Sequence, residues 1–309
     1  MTLFLILLLA LLLLFPTACL EGARSGLLLW FHTVLPTLFP FLFVSSMLLA
    51  TGAAHTVSRL LKPILAPIFR VSTDCCYAIL IGLVSGYPLG AKTCAELVQD
   101  GSISRQEGQY LLCFCNNASP MFLISFIGSS LLGLPYRSCL LFWLVVIVSA
   151  FFTGILYRLF SKYSAPQNHY SLYAAGKSVD SIADSPLEYA LETAIQTIVK
   201  VGGYIILFGI LGHLITRLSL PFPLLQGMLA GVLEITTGSS AIAALSLPSA
   251  LKTALICAVT AFGGLSSVLQ TKSVLGSSGL SVATYLYTKV LHALLAAALS
   301  GILLLFNVF

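Results

Sequence analysis

The chain has 309 residues, of which 58% are hydrophobic and only 8% carry a formal charge. Soluble domains average roughly 25% charged residues, so the composition excludes an ordinary soluble domain. It predicts an all-α polytopic bundle in a cell membrane, with enough apolar sequence for eight or nine passes of about 20 residues. The net charge of +5 is spread over loops and helix ends. Nucleic-acid binding needs a concentrated basic patch, so the expected partner is the lipid bilayer and not nucleic acid.

Composition along the chain predicts four segments. They are a first transmembrane span over residues 1–24, a first half over 25–160, a polar linker over 161–184 and a second half over 185–309. No basic residue precedes the apolar start, as a signal peptide would require, so we interpret it as a retained span. Thr17-Ala18-Cys19 leaves cleavage open. Basic residues occur in several loops, so the positive-inside rule does not fix the orientation.

Two apolar stretches of the first half are interrupted by small and polar residues. The interruptions are Ser85-Gly86-Tyr87-Pro88-Leu89-Gly90-Ala91-Lys92 and Asn116-Asn117-Ala118-Ser119-Pro120. In hydrocarbon a broken helix is tolerated only where it is buried in protein or lines a wet cavity. Discontinuous helices in matching positions of two halves are typical of transporters. We therefore expect a functional site at these interruptions.

The second half repeats this order. Residues Gly82–Pro88 align with Gly231–Thr237, and residues Cys113–Pro120 align with Cys257–Gly264. Each half also contains four apolar blocks. The repeats are parallel if all four blocks cross the membrane, and inverted if one block is re-entrant or the linker changes side. Counting blocks does not decide between these alternatives.

Helix N-termini that follow the interruptions would present free N–H groups to one site, which suits an anionic or hydrogen-bond-accepting solute. The alternative is that glycine and proline only kink packed helices. Lys92 has a further alternative, an ordinary surface pair with Glu96. The candidate substrate-binding residues are Ser85, Gly86, Tyr87, Pro88, Gly90, Lys92, Asn116, Asn117, Ser119, Thr236, Ser239 and Ser266.

Glu234 is a carboxylate deep inside an apolar block. An ionisable group at that depth costs several kcal/mol unless it has a partner. We expect Glu234 to couple transport to a proton or a sodium ion, or to contact the solute. The alternatives are a structural pair with Lys200 and a glutamate that stays neutral.

No cofactor, resident metal or enzymatic activity is expected. The chain contains no G-x-S-x-G, H-E-x-x-H or phosphate-binding loop. Its eight cysteines lie mostly in apolar segments without metal-ligand spacing. Cys113 and Cys115 leave open a minor alternative, a soft metal in transit.

The two interruptions, together with Leu35-Pro36-Thr37-Leu38-Phe39-Pro40-Phe41, give the chain a family resemblance over most of residues 25–309. It resembles the YlbJ-type sporulation integral membrane proteins. That resemblance implies a bacterial, spore-forming source and two nucleoside-recognition (Gate) repeats, which are also found in nucleoside transporters and in the membrane part of ferrous iron transporters.

Two functions are compatible with these features. The first is a transporter or permease for a small polar or anionic solute, with a nucleoside-like solute as one option. The second is a non-transporting membrane scaffold for spore envelope or cortex assembly, whose partners would be spore envelope proteins. Either protein could form a homo-oligomer.

Overall fold

The computed structural model describes residues 2–161, 185–218 and 220–305, and its ordered elements in these ranges are all helices. The predicted all-α bundle is confirmed. Beyond Ser161, the predicted linker lies outside the described residues. Five helices of the described part are long and apolar enough to cross a membrane. They are Pro16–Ala50, Tyr136–Phe160, Pro186–Arg217, Ser249–Leu275 and Val282–Leu304.

The N-terminal helices differ from the predicted boundary at residues 24 and 25. Helix α1 covers Thr2–Leu14, and α2 then runs without interruption over Pro16–Ala50, with one π-helical turn. The helix continues past residue 24 because Gly22 and Gly26 face a neighbouring helix, α9 (Pro186–Arg217). A methyl group on Gly22 would lie 2.8 Å from the Cα atom of Ile210. Small residues spaced four apart allow such close backbone contact.

Helix α3 (Ala53–Phe69) is basic and amphipathic, as is typical of a helix that lies in the membrane interface. Large apolar side chains of this helix are exposed along one face, at Leu60, Ile64 and Ile68. At its C-terminus, the Arg158 guanidinium donates to the carbonyl oxygens of Ile68 and Phe69. The arginine thus satisfies carbonyl groups that the helix end leaves free.

The first interrupted block is a helical hairpin. Its arms are α4 (Cys75–Ser85) and α5 (Leu89–Gln99), joined by Gly86, Tyr87 and Pro88 with a cis Tyr87–Pro88 bond. A methyl group on Gly90 would lie 3.1 Å from the Cα atom of Gly82. In a continuous helix, residues eight apart are about 12 Å apart, so the chain folds back at this point.

The second half contains an equivalent hairpin, with arms α10 (Pro223–Leu233) and α11 (Ile235–Ala243). A methyl group on Gly238 would collide with the backbone of Gly231. One on Gly227 would lie 3.4 Å from the backbone nitrogen of Ile242. The first contacting pair is 7 residues apart in sequence and the second is 15 residues apart. A sequence separation that grows with distance from the turn is the pattern of two antiparallel arms.

Each hairpin precedes a crossing helix that is broken near its middle. The first consists of α6 (Arg105–Leu112) and the π-helical segment α7 (Phe122–Leu131), with non-helical residues 113–119 between them. The second consists of α12 (Ser249–Phe262) and α13 (Gly264–Leu275), broken at Gly263, where φ is +84°. A capping box of Ser104 and Glu107 begins the first broken helix.

The same order of elements therefore occurs twice. In each half a long helix precedes a hairpin, a broken helix and a final helix, which is α8 (Tyr136–Phe160) in the first half and α14 (Val282–Leu305) in the second. The first half has one additional element, α3, between the long helix and the hairpin. Gly82 and Gly231, which the sequence alignment pairs, both lie where the hairpin arms touch. Of the five membrane-capable helices among the described residues, two lie in the first half and three in the second. Counting the broken helix α6–α7 as a further crossing gives three crossings per half, because the hairpins return to their own side. Because three is an odd number and the linker is polar, we infer that the two halves have inverted topology.

Inverted topology predicts that the first turns of the two broken helices lie on opposite faces of the membrane. Gln106 and Ser249 are exposed at these positions. We expect a membrane-impermeant maleimide to label Gln106→Cys from one side of the membrane and Ser249→Cys only from the other, as measured in intact cells and in inverted vesicles. The native cysteines are buried, so the unmodified chain is the control. Labelling of both variants from the same side would contradict inverted repeats.

Candidate functional site

The four breaks meet at one cavity in the middle of the bundle. Its volume is about 60 Å³, and each of the four breaks contributes to its wall. A methyl group on Gly86 would lie 2.6 Å from the backbone nitrogen of Ser119. One on Gly264 would lie 3.3 Å from the Cα atom of Glu234. The break residues that line the cavity are Ser85, Tyr87, Ala118, Ser119, Glu234, Ile235, Thr236, Gly263, Ser266 and Ser267.

Asn116 connects the first hairpin to the second half. Its Oδ1 accepts a hydrogen bond from the backbone nitrogen of Ala91 at 3.2 Å. Its Nδ2 donates to Thr271 Oγ1 at 2.8 Å and to Tyr285 Oη at 2.9 Å. One amide group thereby joins α5, α13 and α14 at the break between α6 and α7.

Asn117 connects the break to the tip of the first hairpin. Its carbonyl oxygen accepts from the backbone nitrogen of Tyr87 at 2.6 Å. Its side-chain Nδ2 donates to the carbonyl oxygen of Phe114 at 2.6 Å, which ends the preceding helical segment. Neither Asn116 nor Asn117 is part of the cavity wall. In this structure both asparagines act by holding the breaks together.

The predicted glycines of the first hairpin allow close backbone packing. A side chain on Gly90 would collide with the carbonyl oxygen of Cys115. Gly86 has a φ of +82°, a conformation that side chains other than glycine's rarely adopt. Both glycines lie behind residues of the cavity wall, and neither glycine lines the cavity itself.

Glu234 forms the tip of the second hairpin and caps helix α11. Its Oε1 accepts from the backbone nitrogen of Thr236 at 2.9 Å, and its Oε2 accepts from the backbone nitrogen of Thr237 at 2.7 Å. The Thr237 hydroxyl adds a third donor at 3.0 Å. Glu234 is 3% exposed, and these donors together with the helix dipole stabilise its charge. The alternative pairing with Lys200 is wrong, because Lys200 lies exposed on α9 and these contacts occupy the carboxylate.

Two hydroxyl groups of the cavity wall have no hydrogen-bond partner among the described residues. They are Ser85 Oγ and Thr236 Oγ1, one from each hairpin tip. Ser266 accepts from Gln270 Nε2 at 3.0 Å, and Ser119 accepts from the backbone nitrogen of Phe122 at 3.2 Å. A buried hydroxyl without a partner costs about 1–3 kcal/mol. These two hydroxyls are therefore hydrogen-bonding groups of the cavity wall that the described residues leave unsatisfied.

Three predicted binding residues lie elsewhere. Lys92 forms the i,i+4 ion pair with Glu96 at 3.6 Å, away from both cavities. Ser239 is buried in α11 and does not line a cavity, although its hydroxyl lacks a partner among the described residues. Pro88 starts α5 and accepts from the backbone nitrogen of Lys92. The structure therefore places these three residues outside the cavity wall.

A second cavity, with a volume of about 300 Å³, adjoins the first. The two cavities share Leu29, Ile205, Glu234 and Thr236 in their walls. The second cavity extends to His213, whose Nε2 lies 3.2 Å from Glu21, and Glu21 also pairs with Arg217. Glu21 and Arg217 are more than half exposed. This arrangement provides a polar path from the surface of the protein towards Glu234.

The cysteines do not form a metal site. In the part of the chain that the structure describes, no group of three or more His, Cys, Asp or Glu residues could hold a metal ion. The Cys113 thiol donates to the carbonyl oxygen of Gln109, whereas Cys115 faces Cys94, with 3.6 Å between the sulfur atoms. Cys113 and Cys115 therefore point to different partners and do not face each other.

Sequence reasoning missed Lys289, which lies beside the break between α6 and α7. Lys289 is 1% exposed, and its Nζ lies 3.3 Å from Asn117 Oδ1 and 3.2 Å from His292 Nδ1. His292 Nε2 lies 2.8 Å from the carbonyl oxygen of Val146. The residue looks interfacial in the sequence, but α14 begins at Val282 and carries Lys289 about 10 Å into the bundle. The i,i+3 spacing of two basic residues in an apolar block was the available signal.

Comparison with known proteins finds one named relative. The chain is 27% identical to the sporulation integral membrane protein YlbJ of Bacillus subtilis (strain 168) over 318 residues. The similarity covers 91% of this chain and 76% of the relative. No family model matches the chain, and no solved structure matches it. An integral membrane relative and several apolar helices together place the chain among bacterial multi-pass membrane proteins.

We predict that Asn116→Ala lowers the free energy of unfolding by about 2–4 kcal/mol, because it leaves buried partners on three helices without their hydrogen bonds. The buried native cysteines permit a thermal unfolding assay with a thiol-reactive dye in detergent. Gln106→Ala, at an exposed position, is the control and should unfold like the unmodified protein. An unchanged unfolding midpoint for Asn116→Ala would show that the amide does not hold the breaks together.

Proposed function

We propose that this protein is a transporter or permease that moves a small polar solute across a bacterial membrane. The observation that carries the proposal is the meeting of four helix breaks, two from each half, at one central cavity. Transporters with inverted repeats place substrate sites at such breaks, near the middle of the membrane. The polar path from His213 to Glu234 supports access from one side.

The cavity walls favour a neutral solute over an anionic one. Among the described residues that line the two cavities, Glu234 is the one carboxylate, and there is no lysine or arginine. The hydroxyls of Ser85 and Thr236 and the amide of Gln270 offer hydrogen bonds, and the rings of Tyr87 and Phe122 offer apolar surface. A compact neutral molecule with several polar groups fits this lining, and nucleoside-like solutes belong to that class.

The name of the relative supports a role in sporulation. We propose that this chain also acts in the membrane of a spore-forming bacterium and that its halves are Gate-type repeats. The repeated order of elements supports the second part of this proposal. A scaffold for spore envelope proteins remains the competing function, and it needs neither a solute nor the unpartnered hydroxyls of the cavity.

A solute screen separates the two functions. The purified protein would be melted in detergent with uridine, glucose, adenosine monophosphate, citrate or Mn²⁺. A neutral compound that binds the cavity should raise the unfolding midpoint, since a ligand at 100 times its Kd stabilises the folded state by about 2.7 kcal/mol. We expect the double variant Ser85→Ala, Thr236→Val to lose most of this shift. Glu234→Gln should weaken the shift and reduce uptake into proteoliposomes, because its carboxylate holds the second hairpin tip through the backbone nitrogens of Thr236 and Thr237.

The control variant is Ser130→Ala, which changes an exposed hydroxyl in α7 and should keep the full shift. A shift that the double variant retains would place the binding site elsewhere. The absence of a shift with every compound, in a protein that unfolds cooperatively, would favour the scaffold.

A further inference from the structure

The hydrogen bonds around Lys289 leave its protonation state open. The carbonyl oxygen of Val146 can only accept, so His292 Nε2 carries a hydrogen, and a neutral imidazole then accepts at Nδ1. Asn117 donates through Nδ2 to Phe114, which leaves Oδ1 as the acceptor that faces Lys289. Both neighbours of the Lys289 nitrogen are therefore acceptors. An ammonium group and a neutral amine can each donate to both of them.

The surroundings do not neutralise a charge on Lys289. In the part of the chain that the structure describes, Lys289 has no salt bridge. A buried ammonium without a carboxylate costs several kcal/mol, whereas a neutral amine does not carry this cost. A proton on Lys289 is thus held weakly enough to leave.

The other titratable groups on the packed helices do not supply a counter-charge. Arg158 on α8 and Lys252 on α12 bind carbonyl oxygens elsewhere, and Lys272 on α13 is exposed. The remaining groups near this part of α14 are thiols, phenols and an imidazole. They are Cys113 and Cys115 at the first break, Cys139 and Tyr157 on α8, Cys257 on α12, and Tyr285 and His292 on α14 itself.

Lys289 is connected to the cavity through Asn117, in the break between α6 and α7. Its partner Asn117 accepts, through the main-chain carbonyl, the backbone N–H of Tyr87 at the hairpin tip. Tyr87 lines the cavity, and so does Ser119, two residues beyond Asn117. A change in the hydrogen bond between Lys289 and Asn117 therefore acts on two parts of the cavity wall.

We propose that Lys289 is a proton-binding site inside the membrane and that its proton is coupled to occupancy of the central cavity. The coupling part rests on the proposed transport function. The coupling role expected for Glu234 is thereby assigned to Lys289, because both oxygens of Glu234 are engaged by the N-terminus of α11. Glu234 then positions the second hairpin tip.

The proton site is tested without any solute. Thermal unfolding midpoints of the purified protein and of Lys289→Met would be compared between roughly pH 6 and roughly pH 9. Rising pH removes the buried charge from the unmodified protein, so its midpoint should rise by several degrees relative to that of Lys289→Met. Lys200→Met, at an exposed lysine on α9, is the matched control and should follow the unmodified protein. Parallel profiles of the unmodified protein and Lys289→Met would overturn the proton site.

Lys289→Arg provides a second variant if Lys289→Met does not fold. Arginine keeps its charge throughout this pH range, so the unmodified protein should again gain stability over the variant as pH rises. Identical pH profiles for Lys289→Arg and the unmodified protein would likewise overturn the proton site.

The coupling is tested with uridine and glucose at the same two pH values. A thermal shift that depends on pH in the unmodified protein but not in Lys289→Met supports coupling, and a pH-independent shift in the unmodified protein overturns it. If neither compound gives a shift, coupling to these solutes and the neutral-solute function both fail, while the solute-free pH profile still decides the proton site.

Discussion

The structure depends on one constraint, the need to satisfy backbone polar groups wherever a helix breaks inside a membrane. At the break between α6 and α7, the side-chain amide of Asn116 forms hydrogen bonds with the backbone of Ala91 and with the side chains of Thr271 and Tyr285. At the second hairpin tip, Glu234 receives the free N–H groups of α11. Asn116 thus links the two halves, Glu234 satisfies the free groups of its own hairpin, and both sets of contacts lie beside the cavity.

Small residues make this arrangement possible. The hairpin arms touch at Gly82 with Gly90 and at Gly231 with Gly238, so the backbones approach more closely than side chains would allow. Short arms that fold back leave their tips in the middle of the bundle, where each tip meets a broken helix. Close packing of glycine therefore determines where Ser85 and Thr236, the two unpartnered hydroxyls, are presented.

The sequence predicts the breaks well and their surroundings poorly. Interruptions by small and polar residues mark Ser85–Lys92 and Asn116–Pro120, because a broken helix needs those residue types. The buried carboxylate of Glu234 is equally visible, since charge is rare in an apolar block. The contact of the hairpin arms at Gly82 and the buried position of Lys289 depend on which helices pack together. Helix pairing cannot be read from the pattern of a single sequence. The continuity of α2 past residue 24 depends on packing in the same way, because Gly22 and Gly26 lie against α9.

The central claim is that the four breaks surround a cavity that water and a polar solute can enter. Reaction of Thr236→Cys with a charged methanethiosulfonate reagent in proteoliposomes tests this claim most directly, because Thr236 lines both cavities. The native cysteines, all buried, serve as the unreactive background. We predict that Thr236→Cys reacts from one side of the membrane and that a bound solute slows the reaction. A Thr236→Cys variant that unfolds cooperatively but reacts from neither side would contradict a solute-accessible site at the breaks.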